Sequence, residues 1–335
     1  MDFFQENSLP RNSFHNSYLH RIILFLVVVP LILIIAFGNG MVILPVLSRR
    51  QLRKPNYFIL LSLALNDLMN ACVSLPLELY IRTVRNEVTC SLSSAEYFYL
   101  WSYVFVYGSL THLLLVSLDR YIAVTRPLRY ESIVTNWRIG IAVTAAWALT
   151  LTYAVARISV DSDGSAKHFI YSYCLGERSS SSNISMVFDL LVLISILIVG
   201  AFLMVLNIRI LLIAIRQANR IAIVEDAMRA PGAPRKRGNS SRHVKATKIT
   251  LLMVSSFLVC FMPLASFLGA ARYITSDRWY VTADDCAFFL VCVSSMTNPL
   301  IYFSRDTIFR ENAVSILRSL QTNVRQKLTK STPLV

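Results

Sequence analysis

Residues 111–127, THLLLVSLDRYIAVTRP, decide how the chain is read. An apolar run leads into Asp119-Arg120-Tyr121, and apolar residues resume after it. Ionisable side chains at the end of a spanning helix are costly. They mark either function or a helix stop whose Arg reaches for the headgroups. The rest of the chain separates these readings.

Of the 335 residues, 55% are hydrophobic and 16% are charged, and the mean hydropathy is +0.54. A soluble domain carries about 25% charged residues, so the expectation is a membrane protein. The net charge of +14 could suit nucleic acid. Its distribution excludes that partner. Seven apolar runs, 22–47, 57–80, 97–124, 139–158, 184–215, 249–273 and 281–303, are each long enough to span a bilayer. Of the 33 Lys and Arg, 22 lie in alternate connections and in the tail after Phe303. Arg49, Arg50, Arg53 and Lys54 crowd one short connection. This is the positive-inside pattern, with the basic face against anionic membrane lipids.

The expected fold class is therefore an all-α membrane protein, a seven-transmembrane helix bundle with a short amphipathic eighth helix. The expected organisation is an extracellular N-terminus over 1–21, the bundle over 22–303, a membrane-surface helix over 304–320 and a cytoplasmic tail over 321–335. The surface helix rests on Phe309, Ala313, Ile316, Leu317 and Leu320, which recur at helical spacing. The N-terminus lacks a basic segment followed by a short apolar core, so no cleavable signal is expected. The expected location is the plasma membrane.

Polar residues recur inside the runs. Asn39 sits in the first, Asn66-Asp67 in the second, Ser109 and His112 in the third, and Ser294, Ser295, Thr297 and Asn298 in the seventh. Each needs a partner or a water-filled cavity. A transporter or channel using Asp67 as a cation site is the alternative reading, but no repeated halves stand out. No H-E-x-x-H, G-x-S-x-G or phosphate loop is present, so an enzyme is not expected.

The ordered set Asn39, Asp67, Asp119-Arg120-Tyr121, Trp147, Pro263 and Asn298-Pro299-x-x-Tyr302 resembles the fingerprint of the rhodopsin-like (class A) G-protein-coupled receptors. The resemblance implies partners: a heterotrimeric G protein inside and an extracellular ligand outside. It implies a switch at Asp119, Arg120, Tyr121, Asn298, Pro299 and Tyr302. It also implies a pocket of Asp67, Ser109, Ser295, Asn298 and Asn39 that takes a sodium ion at rest; no other cofactor is expected. In the family a cysteine at the head of the third helix pairs with one in the second outer loop. That implies Cys90–Cys174, with Cys286 as the rival partner. Cys72, Cys260 and Cys292 read as free core thiols. The sequon Asn183-Ile184-Ser185 falls on the expected outer side and is a glycosylation candidate.

The chain departs from the family pattern in places. Phe261 stands where the sixth helix usually has Trp, Asn207 where the fifth has Tyr, and Val199 where it has Pro. His243 stands where many relatives have an acid. We expect the resting lock on Arg120 to be weak and basal signalling to be raised. Amine receptors carry an Asp at the place held here by Ser102, so a conventional amine salt bridge is not expected. Retinal pigments need a seventh-helix Lys; Cys292 stands at that level. The candidate ligand pocket comprises Ser102, Tyr99, Tyr103, Tyr107, Asp189, Phe261, Asp284, Asp285, Cys292, Glu78 and Glu96. The tyrosines also suit an interface belt. The acids hint at a small cationic molecule or a short peptide, and the short N-terminus argues against a large hormone.

Overall fold

In the computed structural model, residues 18–84, 92–161, 183–227, 239–270, 277–305 and 307–331 are described. All regular structure among them is helical. The helices are α1 (Tyr18–Ser48), α2 (Pro55–Met69), α3 (Leu75–Thr83), α4 (Leu92–Thr125), α5 (Tyr130–Ile133), α6 (Asn136–Asp161), α7 (Asn183–Ala227), α8 (Asn239–Ala270), α9 (Asp277–Arg305) and α10 (Thr307–Ser331). The second expected span is α2 and α3 together. They are joined by a wide, π-type turn at Asn70–Ser74. Pro76 explains the turn: its ring excludes the carbonyl four residues back, so the ladder must widen before it.

Five described segments are long and apolar enough to cross a bilayer. The mean hydropathy of their most apolar stretches is 2.9 for Tyr18–Ser48, 1.7 for Pro55–Thr83 and Asn136–Ala156, 2.7 for Ile194–Ile221 and 1.6 for Asp285–Ser304. Thr247–Met262 of α8 is a shorter apolar helix. Tyr18–Ser48, Asn136–Ala156 and Ile194–Ile221 each bury one stripe and turn the rest of their apolar surface outward, whereas Pro55–Thr83 is more than half buried. In α1, Val28, Ile35, Asn39, Val42 and Val46 are buried, while Ile22, Leu26, Leu33 and Phe37 are exposed. That inversion suits lipid, where packing and interhelical hydrogen bonds hold helices together.

α4 lies at the centre, against α2, α6, α7 and α8. The main apolar core joins Leu63, Leu113, Leu203, Met253, Phe257, Phe261 and Tyr302, with Phe309 of α10 beneath them. Helix ends differ from expectation. α1 begins at Tyr18, α7 continues to Ala227 and α10 to Ser331. The segments after the expected stops, such as RQANRIAIVEDA, are free of Gly and Pro, so nothing breaks the helix. On α10, Phe309, Ala313 and Ile316 are buried, whereas Leu317 is exposed. Cys72 is exposed, which corrects its reading as a core thiol, whereas Cys260 and Cys292 are buried.

Candidate functional site

The second span carries a polar residue at every fourth position: Ser62, Asn66, Asn70, Ser74, Glu78 and Arg82. In an ideal α-helix such a stripe drifts by about 40° per step. The wide turn at Asn70–Ser74 takes up part of that drift. The stripe thus faces the bundle along its length, and Ser62, Asn66, Asn70, Ser74 and Arg82 are all buried.

Asp67 lies beside this stripe and is 0% exposed. Its Oδ1 accepts from Ser109 Oγ at 3.3 Å and Ser295 Oγ at 3.2 Å. Its Oδ2 accepts from Asn298 Nδ2 at 2.8 Å. Asn39 donates to the carbonyls of Ile35 at 3.0 Å and Ser295 at 3.4 Å. The five residues expected at this site therefore meet, and they join α1, α2, α4 and α9. Two residues that sequence reasoning did not assign complete the cluster. Asn66 donates to the Phe105 carbonyl and to Ser109 Oγ, both at 3.0 Å, and Asn70 donates to Ser295 Oγ at 3.3 Å. Asn66 fits because residue 108 is Gly: a Cβ there would lie 2.1 Å from Asn66 Oδ1. Gly38 gives the same room to the Pro299 ring, whose Cγ would be 2.9 Å from an added Cβ.

A second polar chain crosses to α6. His112 Nδ1 is 2.6 Å from the Gly108 carbonyl, so that nitrogen carries the proton. His112 Nε2 then accepts from Ser62 Oγ at 2.7 Å, and Ser62 accepts from Trp147 Nε1 at 3.0 Å. The indole also stands edge-on to the imidazole, 5.5 Å between centroids. Ser62 was not anticipated; the four-residue stripe is the signal that finds it.

At the Arg120 end, the Arg120 side chain donates through Nε to Asp119 Oδ2 at 2.9 Å and makes a second, shorter contact through Nη2. Tyr130 of α5 donates to the other oxygen, Asp119 Oδ1, at 2.6 Å. Burial and the Asp119 charge push the Tyr130 phenol well above its usual range, so it keeps the proton it donates. A cavity of about 140 Å³ opens beside Arg120, lined by Tyr57, Ile249, Thr250, Met253 and Tyr302 among others. Tyr302 is buried, while Tyr121 faces outward at 42% exposure and takes no part in the Asp119–Arg120 pair. Asn207 does not reach Arg120. It donates to Ser117 Oγ at 2.9 Å, closer to mid-bundle.

At the opposite end, Ser102 Oγ makes a short hydrogen bond to Glu78 Oε1. Arg82 Nη1 meets Asp285 Oδ1 at 2.8 Å, and His20 Nε2 meets Asp285 Oδ2 at 3.0 Å. Arg82 lies beyond the apolar run 57–80, yet it is on α3 and buried. Phe261 and Cys292 are packed in the two main apolar clusters. Tyr99, Tyr103, Asp189 and Asp284 lie on helices, but their side chains, like those of Glu96, Asn183 and His243, are outside the described set. Cys90 and Cys174 lie outside the described residues.

The model of the rhodopsin family of seven-transmembrane receptors matches residues 38–302. The chain belongs to that family. It is similar to trace amine-associated receptor 6 of Pan troglodytes and of Homo sapiens, each 30% identical over 290 residues, 84% of this chain and 81% of the relative. Trace amine-associated receptor 9 of Homo sapiens is 28% identical over 275 residues, 80% of this chain and 76% of the relative. The protein is thus a multi-pass G-protein-coupled receptor, and its family works with a G protein and an extracellular ligand rather than as an enzyme.

Proposed function

We propose that this receptor sits in the plasma membrane with its N-terminus outside and responds to a small amine. On this reading ligand binds at the Glu78–Asp285 end, and the G protein docks at the Arg120 end. Residues 1–21 face outward, and α10 lies on the inner leaflet. One observation carries the mechanism: the Asp67 carboxylate is held at the same time by α4 and by α9. A displacement of either span must therefore remake these bonds, and a bundle with two such arrangements transmits ligand binding to the far end. Arg120 supplies the cation for the G protein once Asp119, itself held by Tyr130, releases it. Pro299, which lacks the backbone donor, lets α9 bend beside Gly38.

The same cluster suits a sodium ion. Asp67 supplies a carboxylate, and Ser109 and Ser295 direct hydroxyl oxygens at it, a donor set for a hard cation. Bound there, the ion would supply a positive charge to balance Asp67. Asn298, which now gives its amide N–H to Oδ2, would give way. The free state of Cys72, Cys260, Cys286 and Cys292 supports a Cys90–Cys174 disulfide. Asn183, the first residue of α7, is the proposed glycosylation site.

The amine names of the relatives, with the acids at one end of the bundle, support the ligand class. A panel of aliphatic and aromatic amines tested in cells carrying reporters for several G-protein classes would check it. We expect at least one amine to act in the micromolar range or below and its neutral alcohol counterpart to be inactive. Activation by alcohols and amines alike would refute the amine reading.

A further inference from the structure

Glu78 and its surroundings raise a question that the amine reading leaves open. An ammonium ligand needs a carboxylate facing the interior, yet Ser102 stands where amine-binding relatives would present one from the third span. The acid is supplied from the neighbouring span. Glu78 Oε1 accepts from Ser74 Oγ at 3.3 Å and from Ser102 Oγ through a short hydrogen bond. The two hydroxyls are themselves 3.0 Å apart. The carboxylate of α3 is thus seated directly on residue 102 of α4. Pro76 and the wide turn before it create this seat, because they set the phase of Ser74 and Glu78 against α4.

The neighbouring charges are occupied differently. Arg82 Nη1 is 2.8 Å from Asp285 Oδ1, and its guanidinium carbon lies 4.6 Å from the Phe288 ring centroid. His20 takes the second oxygen of Asp285 at 3.0 Å. Glu78 Oε2 is 3.7 Å from Arg82 Nη2, outside hydrogen-bonding range. The side chain of Glu78 is 21% exposed, against 6% for Arg82, 9% for Asp285 and 14% for His20. Glu78 is the most accessible charge of the four. Among the described residues, a cation that approaches Glu78 meets the long contact with Arg82, and Arg82 keeps its short one with Asp285.

We infer that Glu78, seated on Ser102 and Ser74, is the counter-ion for the ammonium group of this receptor's ligand, supplied from the second span in place of the third. The inference rests on the amine reading above. The ligand class it fits is a small primary or secondary amine, since three N–H donors or two can bridge Oε2 and the adjacent hydroxyls.

The test uses the full-length receptor in cells, with surface expression measured for every variant. The probes are benzylamine and n-hexylamine, or whichever amine of the panel acts best, each against its alcohol. In the Glu78→Gln variant we expect the half-maximal amine concentration to rise by roughly a hundredfold, as when a charged partner is removed from a desolvated pair. Ser102→Ala, which removes one hydroxyl of the seat, should raise it by about tenfold. The double variant Glu78→Gln/Ser102→Asp returns a carboxylate to the same place from the third span and should recover most of the loss. That recovery separates a counter-ion from a merely structural acid. An unchanged amine response in Glu78→Gln at equal surface expression would overturn the inference. If Glu78→Gln does not reach the surface, an unchanged response in Ser102→Ala together with no response in the double variant would overturn it. If no amine activates the wild-type receptor, the amine reading itself falls, and this inference with it.

Discussion

Asp67 and Asp119 are both buried acids of a membrane bundle, and the protein treats them in opposite ways. Asp67 is held by Ser109 of α4 and by Ser295 and Asn298 of α9, so its charge ties three spans together. Asp119 holds its own neighbour Arg120 and Tyr130 of the adjoining α5. Among the described residues it makes no hydrogen bond to α7, α8 or α9. A buried charge must be satisfied, but the source of the satisfaction decides what can move. Mid-bundle, the spans are tied to each other. At the Arg120 end, the pair is complete within α4 and its loop, and α7 and α8 are left to part from it.

The contrast can be broken, and the most severe break is at Arg120. Arg120→Ala should bring ligand-stimulated G-protein output to background while surface expression persists; retained output would remove Arg120 from the switch. Next is Gly108→Ala. The added Cβ would drive out Asn66, with its bonds to Phe105 and Ser109. Overpacking of this kind costs about 1–3 kcal/mol, read as a lower thermal midpoint of the purified receptor. Asn298→Ala should cost about 1–2 kcal/mol, because it leaves Asp67 Oδ2 without its donor. The exchange Asp67→Asn/Asn298→Asp keeps one acid and one amide and should restore part of that stability. If it restores none, the contact is not what ties the spans.

Two smaller changes sharpen the Arg120 end. His243→Glu supplies the acid that many relatives carry at the base of the sixth helix and should lower basal output severalfold; unchanged basal second-messenger levels would refute a weak resting lock. Tyr130→Phe removes one donor from Asp119, worth roughly 0.5–1 kcal/mol for a half-buried hydrogen bond, and should raise basal output by a few-fold. The sign of the pH effect follows from the raised Tyr130 pKa. The neutral, donating form is favoured in the folded receptor, so the contact is lost only as pH climbs past the ordinary phenol range, near 10. Basal output should therefore differ between wild type and Tyr130→Phe by the same factor at pH 6 and at pH 8.

The spans were legible because lipid imposes a long apolar run on every helix, and the Asp67 cluster because polar residues in such runs must converge. Arg82 falls outside the run 57–80 for the same reason in reverse. An arginine near the end of an apolar run looks like a boundary, and nothing local reveals that Asp285, 203 residues later, covers it. The stripe from Ser62 to Arg82 was present in the sequence, but a period of four reads as drift in an ideal helix. Only the wide turn ahead of Pro76 makes it one face. Tyr130 left no signal, since its contact depends on how a connection folds back. The role expected of Asn207 was defined by a missing Tyr; its actual contact with Ser117 follows from a shorter side chain that stops nearer its own helix.

The 45 residues of α7 make a rod about 68 Å long, more than twice the roughly 30 Å of a bilayer's hydrocarbon. It shares its most extensive contact with α8, pressed close where Gly200 admits Leu258 and Met262. The two helices therefore act as one oar. Its inner fulcrum is Asn207 on Ser117, and a latch lies further along, where Gln217 donates to the Val124 carbonyl at 3.0 Å. With the latch undone, a swing of about 10° at the fulcrum carries the tip by about 5 Å, given 1.5 Å of helix per residue. Leverage of this kind makes the opening at the Arg120 end depend on the length of the blade, so shortening α7 beyond Gln217 would alter what docks there without touching any residue of the ligand end.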